Sequence, residues 1–351
     1  MSAKHTIVRA GLETLYFSGV HMLMRPFVGG VGAILMLHHV RPARRDRFQP
    51  NAHLEVTPEF LERVIRRLRR ANIDLVSLDE AHRRLTTRDF GSRFACFTFD
   101  DGYRDTMAWA FPILKAAGVP FTVYVTTSFA DRLGKLWWVA LERVIARNDR
   151  FALMMDGEER YVDCTSVDAK REVFETLHGW LRGLPTEKAV LDTVGDLAAR
   201  HGVDMPALCG ELCMDWREIN ELARDPLVTI GAHTVNHAML AKASEAEARN
   251  ELKMGRAVIE ATLGQAPEHL AYPYGDPMTT GAREFRIAAE LGFKTAVTTR
   301  PGVLFHGHAD HMTALPRISI NGTLQDVRFI PVLMSGAATA LWNRFKRVDA
   351  A

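Results

Sequence analysis

Short apolar runs recur along this chain, separated by stretches whose apolar positions follow helical spacing. The runs Ala33–His38, Asp74–Leu78, Phe94–Phe99, Phe121–Thr126, Leu227–Ala232, His269–Tyr272, Thr295–Thr298 and Leu315–Ile320 predict strands. Several are apolar on both alternating faces, as expected of strands covered on both sides in a parallel sheet. Helix starts lie between them. Thr57-Pro58-Glu59 is a cap followed by proline at the first helical position. Ser244-Glu245-Ala246-Glu247 is a capping box, and the helix it opens should end near Gly264. Repeated strand–helix units predict an α/β fold with a parallel sheet. Seven or eight units suit a (β/α) barrel, with an open doubly wound sheet as the alternative.

From about 131 to 214 the rhythm breaks. Helical patterns dominate there, no core strand is legible, and the stretch is too long for a plain loop. It reads as a mainly helical insertion over the C-terminal end of the sheet, where active sites of such folds lie. The predicted organisation is an N-terminal amphipathic helix over 1–30, a barrel domain over 31–330 containing the insertion, and a C-terminal helix over 331–351. The N-terminal stripe of Ile7, Leu12, Leu15, Tyr16, Val20, Leu23 and Met24 suits packing on the domain or lying on a membrane surface. Leu341-Trp342-Asn343-Arg344-Phe345-Lys346-Arg347 mixes aromatic and basic residues and raises the same question. Neither a clean signal peptide nor a membrane-spanning stretch is legible at the start.

Composition narrows the function classes. With 44 Lys and Arg against 42 Asp and Glu, nothing global argues for nucleic acid. The basic run Arg63 to Arg70 reads as the solvated face of a helix. Cys209 and Cys213 are spaced C-x₃-C without a histidine at zinc-finger spacing, and Cys96 sits in a strand pattern.

The chemistry concentrates at strand ends. Phe97-Thr98-Phe99 runs into Asp100-Asp101-Gly102. Adjacent side chains on a strand point to opposite faces, so the two carboxylates share a site only where the chain turns, which Gly102 permits. Two carboxylates in one pocket call for a cation. At another strand end stand His233 and His237, which one helical turn would bring to the same side. One carboxylate and two imidazoles make a three-ligand site for a zinc-like ion, with a second carboxylate free as a base. At a third strand end, Pro273-Tyr274-Gly275 predicts an irregular loop whose backbone N–H can face an oxyanion.

Thr98-Phe99-Asp100-Asp101-Gly102-Tyr103 and His233-Thr234-Val235-Asn236-His237 resemble the first two motifs of the NodB-like polysaccharide deacetylases, carbohydrate esterase family four; Pro273-Tyr274-Gly275 resembles the third. The resemblance spans roughly Ile34 to Ile320. It implies a distorted (β/α)7 barrel and removal of acetyl groups from sugars with a divalent metal. It implies Asp101, His233 and His237 as metal ligands, Asp100 as general base, and the Tyr274 N–H as oxyanion donor. The family's third motif begins with an arginine that pairs with the base; here that position is Ala271, and Arg317 at the last strand is the candidate substitute. The usual general-acid histidine has no clean counterpart among His306, His308 and His311. Some relatives are circularly permuted and place it at the start of the domain. His38, at the end of the first strand, is therefore the candidate acid, with His39 second.

The expected function is metal-dependent hydrolysis of the N-acetyl group of an amino sugar in a polysaccharide or lipid-linked glycan, a step in making an exported polysaccharide. Zinc suits the ligand set, and nickel, cobalt or iron would also fit. Trp137, Trp138 and Tyr274 are candidate sugar-stacking residues. The expected place of action is the cytoplasm or the inner membrane face. The alternatives are an inactive carbohydrate-binding or scaffold protein on the same fold, and a deformylase of a lipid-linked formamido sugar.

Overall fold

Strand β1 (Gly32–Leu37) is wholly buried between two neighbours, and that position closes the sheet. In the computed structural model, which describes residues 3–350, β1 pairs in parallel with β2 (Phe94–Phe99) on one side and β7 (Leu315–Ser319) on the other. Between them, β3 (Phe121–Val125), β4 (Val228–Ala232), β5 (His269–Ala271) and β6 (Thr295–Pro301) follow in chain order. The result is a closed barrel of seven parallel strands wrapped by helices. It is distorted: β6 and β7 shift register between Val297 and Pro301. β1 and β2 are apolar at every position but one and buried along their whole length, because their inner faces fill the barrel and their outer faces meet helices.

Each predicted strand is present, with one change of role. Asp74–Leu75 is a two-residue strand beside the start of β2, not a barrel stave. The Pro58–Arg70 helix begins at the Thr57 cap and buries Phe60, Leu61, Val64, Ile65 and Leu68, so its arginines face solvent. The Glu245–Leu263 helix has its capping box at Ser244 and its left-handed stop at Gly264.

The 131–214 region holds four helices, Trp137–Arg147, Val167–Gly183, Glu187–Arg200 and Met205–Leu212, around a core of their own that includes Trp137, Leu141, Phe174, Val194 and Leu208. It also holds an antiparallel hairpin, Arg150–Met155 with Glu158–Asp163, which the apolar pattern does not reveal. The second strand is almost entirely exposed, so it carries no apolar run. The legible signal is Asp156-Gly157 at the turn, with both residues at positive φ (55° and 85°), the chemistry of a tight hairpin.

Both terminal segments differ from the single helices expected. The N-terminal one is two helices, Ala3–Phe17 and Val20–Val28, broken at Gly19, whose φ is 71°. The C-terminal one is also two, Phe329–Met334 and Ala337–Trp342, and the first begins before the expected boundary at 331. Gly336 separates them with φ 74°, where a Cβ would stand 1.9 Å from the Val28 carbonyl oxygen. Gly336→Ala is expected to destabilise the protein by about 2 kcal/mol, read as a lower urea midpoint with unchanged far-ultraviolet circular dichroism.

Candidate metal-centred active site

The exit ends of β1, β2, β4, β5 and β7 converge, and each delivers part of one buried site. β2 hands over two carboxylates. The Asp100 N–H still continues the ladder, donating to the Leu37 carbonyl at 3.0 Å. The next residue, Asp101, is left-handed (φ 69°), as is Gly102 (φ 64°), and this reversal brings two consecutive side chains into one pocket. The turn thus falls on Asp101 itself as well as on the glycine.

β4 delivers the histidines, through an irregular loop and not the helical turn expected. Thr234 and His237 both have positive φ (65° and 57°). The Thr234 hydroxyl accepts from the His237 N–H at 3.0 Å. From the neighbouring helix Glu251 accepts from the Val235 and Asn236 N–H groups at 3.0 and 2.9 Å and from the Asn236 side chain at 2.6 Å. On the same helix Gly255 lets the Thr234 backbone come close: a Cβ there would lie 2.9 Å from the Thr234 carbonyl carbon. Sequence reasoning missed both residues, since a glutamate and a glycine in an amphipathic helix carry no local signal of this task.

His233 Nε2 and His237 Nε2 each lie 3.3 Å from Asp101 Oδ1. The residues are buried, and this is the one group of three or more potential ligands found among the described residues. The donors fit a metal. His233 Nδ1 lies 2.7 Å from the Ala271 carbonyl, to which it donates as N–H, leaving Nε2 as the lone-pair nitrogen. Asp101 Oδ1 and His237 Nδ1 are buried without a hydrogen-bond partner. A tetrahedral ion with bonds of about 2.0 Å has ligand atoms about 3.3 Å apart, which matches the two spacings to Asp101. The cysteines supply no second centre: Cys96, Cys164, Cys209 and Cys213 are buried free thiols.

The other carboxylate faces a different partner. Arg317, on β7, grips Asp100 with two parallel bonds, Nη1 to Oδ1 and Nη2 to Oδ2, both 2.7 Å. Its Nε donates to the Thr298 carbonyl at 2.8 Å, and Nη1 also reaches the Thr98 hydroxyl at 3.3 Å. Burial alone would raise the Asp100 pKa, but Arg317, helped by His233 and His38, holds it below the usual carboxylate range. Asp101 is held well below that range, its burial outweighed by His237 and His233. Both carboxylates are therefore anions at neutral pH.

His38 sits at the exit of β1 with Nε2 3.9 Å from Asp100 Oδ2, partly open to solvent. Burial lowers its pKa more than Asp100 and Asp101 raise it. His39 turns elsewhere: Nδ1 is 2.7 Å from Asp105 Oδ2, and the ring stacks on Tyr103 at 3.6 Å. The histidines after Leu304 lie away from the site. Leu304 bridges Gly32 at the entry end of β1, His306 stacks on Phe90, and His308 is buried against Phe305.

Tyr274 is left-handed (φ 59°), and its ring centroid is 4.8 Å from that of His237. Its hydroxyl accepts from Trp137 Nε1 at 2.7 Å. Trp137 is thus a core residue of the insertion and offers no face to a sugar. Trp138 is also mostly buried, with its ring 5.1 Å from His237, but it borders a groove of about 580 Å³. That groove continues from His39 and Trp138 along Arg41, Arg44, Asn51 and Glu142. Arg44 bridges Glu55 and Glu142 at 2.8 Å each, and Asn51 donates to Glu142 at 2.8 Å.

The family model for polysaccharide deacetylase matches residues 87–157 and 184–296. No curated protein matches the chain. Among solved structures, the Streptococcus pyogenes deacetylase PplD in complex with acetate shares 20% identity, with 83% of this chain and 92% of that one covered and a TM-score of 0.55. IcaB from Ammonifex degensii shares 18% identity, covering 82% and 91%, with a TM-score of 0.51. The BpsB deacetylase domain from Bordetella bronchiseptica shares 18%, covering 82% and 94%, with a TM-score of 0.50. At such identities these structures speak to the fold, while the family match extends over more than half of the sequence and includes both the Asp100-Asp101 and His233–His237 motifs: the chain belongs to the polysaccharide deacetylase family.

Proposed function

We propose that this protein hydrolyses the N-acetyl group of an amino sugar within a polysaccharide or lipid-linked glycan, with a divalent metal held by Asp101, His233 and His237. The observation that carries the reading is the division of labour between adjacent carboxylates: Asp101 faces two imidazoles, while Asp100 is held as an anion by Arg317 beside them. A bound zinc ion, or another divalent cation of similar preference, would acidify water and polarise the acetyl carbonyl. Asp100 takes the proton of the attacking water. Arg317 keeps that carboxylate charged and oriented, a positioning role. The Tyr274 N–H donates to the oxygen that gains charge as the carbonyl carbon becomes tetrahedral. His38, 3.9 Å from Asp100, receives the water's proton from Asp100 and passes it to the departing amine as the C–N bond breaks, so the products are the free amino sugar and acetate and both side chains return to their starting states. The glycan lies in the groove past Trp138, where paired arginines and carboxylates offer hydrogen bonds to hydroxyls, and Tyr274, beside His237, borders the reacting sugar. The place of action in this reading is the cytoplasmic face of the membrane, on a precursor of an exported polysaccharide.

The deciding experiment is release of small acids from a panel of N-acetylated and N-formylated glycans by the zinc-loaded protein. Acetate is expected, abolished by a chelator and restored by added metal. Formate without acetate would make it a deformylase, and neither product from any glycan would favour a non-catalytic sugar binder. Asp100→Asn is expected to lower turnover by 10² to 10⁴-fold while zinc still binds. His38→Ala should also cost turnover, by tenfold or more, with zinc affinity retained; unchanged turnover removes it from the mechanism. Glu251→Ala, which leaves two loop N–H groups without their acceptor, is expected to weaken zinc binding by 10 to 100-fold in calorimetric titration.

A further inference from the structure

Among the described residues, nine of the fifteen exposed large hydrophobic side chains lie in the terminal segments. On the Val20–Val28 helix, Met24 and Val28 pack on Ala337 and Ala340 of the C-terminal helix, joining the two ends of the chain. One step round the same helix, Leu23 and Phe27 face outward, 73% and 72% exposed. From the other segment come Leu341, Trp342 and Phe345, 50 to 60% exposed. The two sets are continuous: Phe27 and Phe345 line one crevice together with Lys346 and Arg347, and the Arg347 guanidinium donates to the Phe27 carbonyl at 3.1 Å. Single exposed apolar residues are ordinary, but five large ones on adjoining terminal segments, two of them sharing one crevice, mark an interaction surface.

Charge identifies the occupant. Arg344 and Arg347 accompany the patch without a carboxylate partner among the described residues, and Arg347 lines the Phe27–Phe345 crevice itself. Asp349, the one acidic residue from 341 to 350, is already bound to Lys346 at 2.6 Å and Arg300 at 3.3 Å. A protein partner of ordinary composition would meet this surface with mixed charge. An anionic lipid bilayer supplies both needs at once, a hydrocarbon boundary for Leu23, Phe27 and Phe345, an interface suited to an indole, and phosphates for the arginines. No described helix is long and apolar enough to cross a membrane, so the contact is with the surface. We infer that both termini together form a docking face for anionic membranes, independently of the chemistry proposed for the barrel.

The test is co-sedimentation of the full chain with sucrose-loaded vesicles of phosphatidylcholine, with and without a quarter of phosphatidylglycerol. Binding is expected to be at least tenfold stronger to the anionic vesicles and to fall with added salt. The double variant Phe27→Glu, Phe345→Glu is expected to lose at least tenfold in vesicle affinity with an unchanged melting temperature, since neither side chain is in the core. Arg344→Glu, Arg347→Glu should remove the preference for anionic lipid. No binding to anionic vesicles, equal binding by the Phe27→Glu, Phe345→Glu variant, or a concentration-dependent dimer that this variant abolishes would each overturn the inference, the last by assigning the face to a second copy of the chain.

Discussion

The pair between Arg317 and Asp100 ties the barrel's closure to its chemistry. β7 and β2 both flank β1, so the guanidinium spans the barrel interior from one neighbour of β1 to the other. Such a pair is costly in a dry interior unless its remaining donors and lone pairs are satisfied. Here the Thr298 carbonyl and the Thr98 hydroxyl take further guanidinium hydrogens, and Thr98 itself donates to the Leu35 carbonyl. Three strands therefore fix the orientation of one carboxylate. Losing the arginine would strand a buried anion, and losing the aspartate a buried cation, so neither side chain can move independently.

That constraint explains why two adjacent aspartates end in such different states. Asp100 is the last residue in register with β1, so its side chain belongs to the barrel interior and to Arg317. Asp101, one peptide later, is already in the left-handed turn and faces the loop after β4. The division comes from backbone geometry before any electrostatics. Electrostatics then maintains it, since each anion has its own cationic or potentially cationic partners and the like charges are not forced to share a proton.

Much of this was legible in the sequence because the staves are short, apolar and ended by chemistry-bearing residues. β1 and β2 announce themselves by their apolar runs, and Asp100-Asp101-Gly102 announces a turn. The Asp101, His233 and His237 grouping follows from strand ends meeting at one end of a parallel barrel. What stayed hidden depends on tertiary contacts. The helical spacing of His233 and His237 suggested a turn of helix, yet Glu251 and Gly255, far along the chain, hold the segment as a left-handed loop. Trp137 looked like a sugar platform, but its neighbours in the insertion bury it and turn its indole N–H toward Tyr274. The Glu158–Asp163 strand is exposed and so has no apolar run to detect. The helix breaks at Gly19 and Gly336 were readable as glycines but not as breaks, and at Gly336 the Val28 carbonyl occupies the space a side chain would need.

Ala271 shows how one departure can be absorbed by the fold. The family pattern has an arginine there, reaching the base from β5. In this chain the β5 residue is small and fully buried, and what it contributes is its carbonyl, which accepts from His233 Nδ1 and so fixes which imidazole nitrogen faces Asp101. The guanidinium comes instead from β7, two strands farther round the barrel, and arrives on Asp100 with bidentate geometry. An inward side chain from either strand reaches the same point near the barrel axis, because a seven-stranded barrel is narrow enough for its side chains to fill. In the proposed reaction the base needs a buried, fixed positive charge beside it, and the fold leaves open which strand supplies it. β1 lies beside β7, and its end brings His38 Nε2 to 3.9 Å from Asp100 Oδ2, the same oxygen that Arg317 Nη2 holds, so an arginine on the last strand and a histidine on the first meet at one carboxylate.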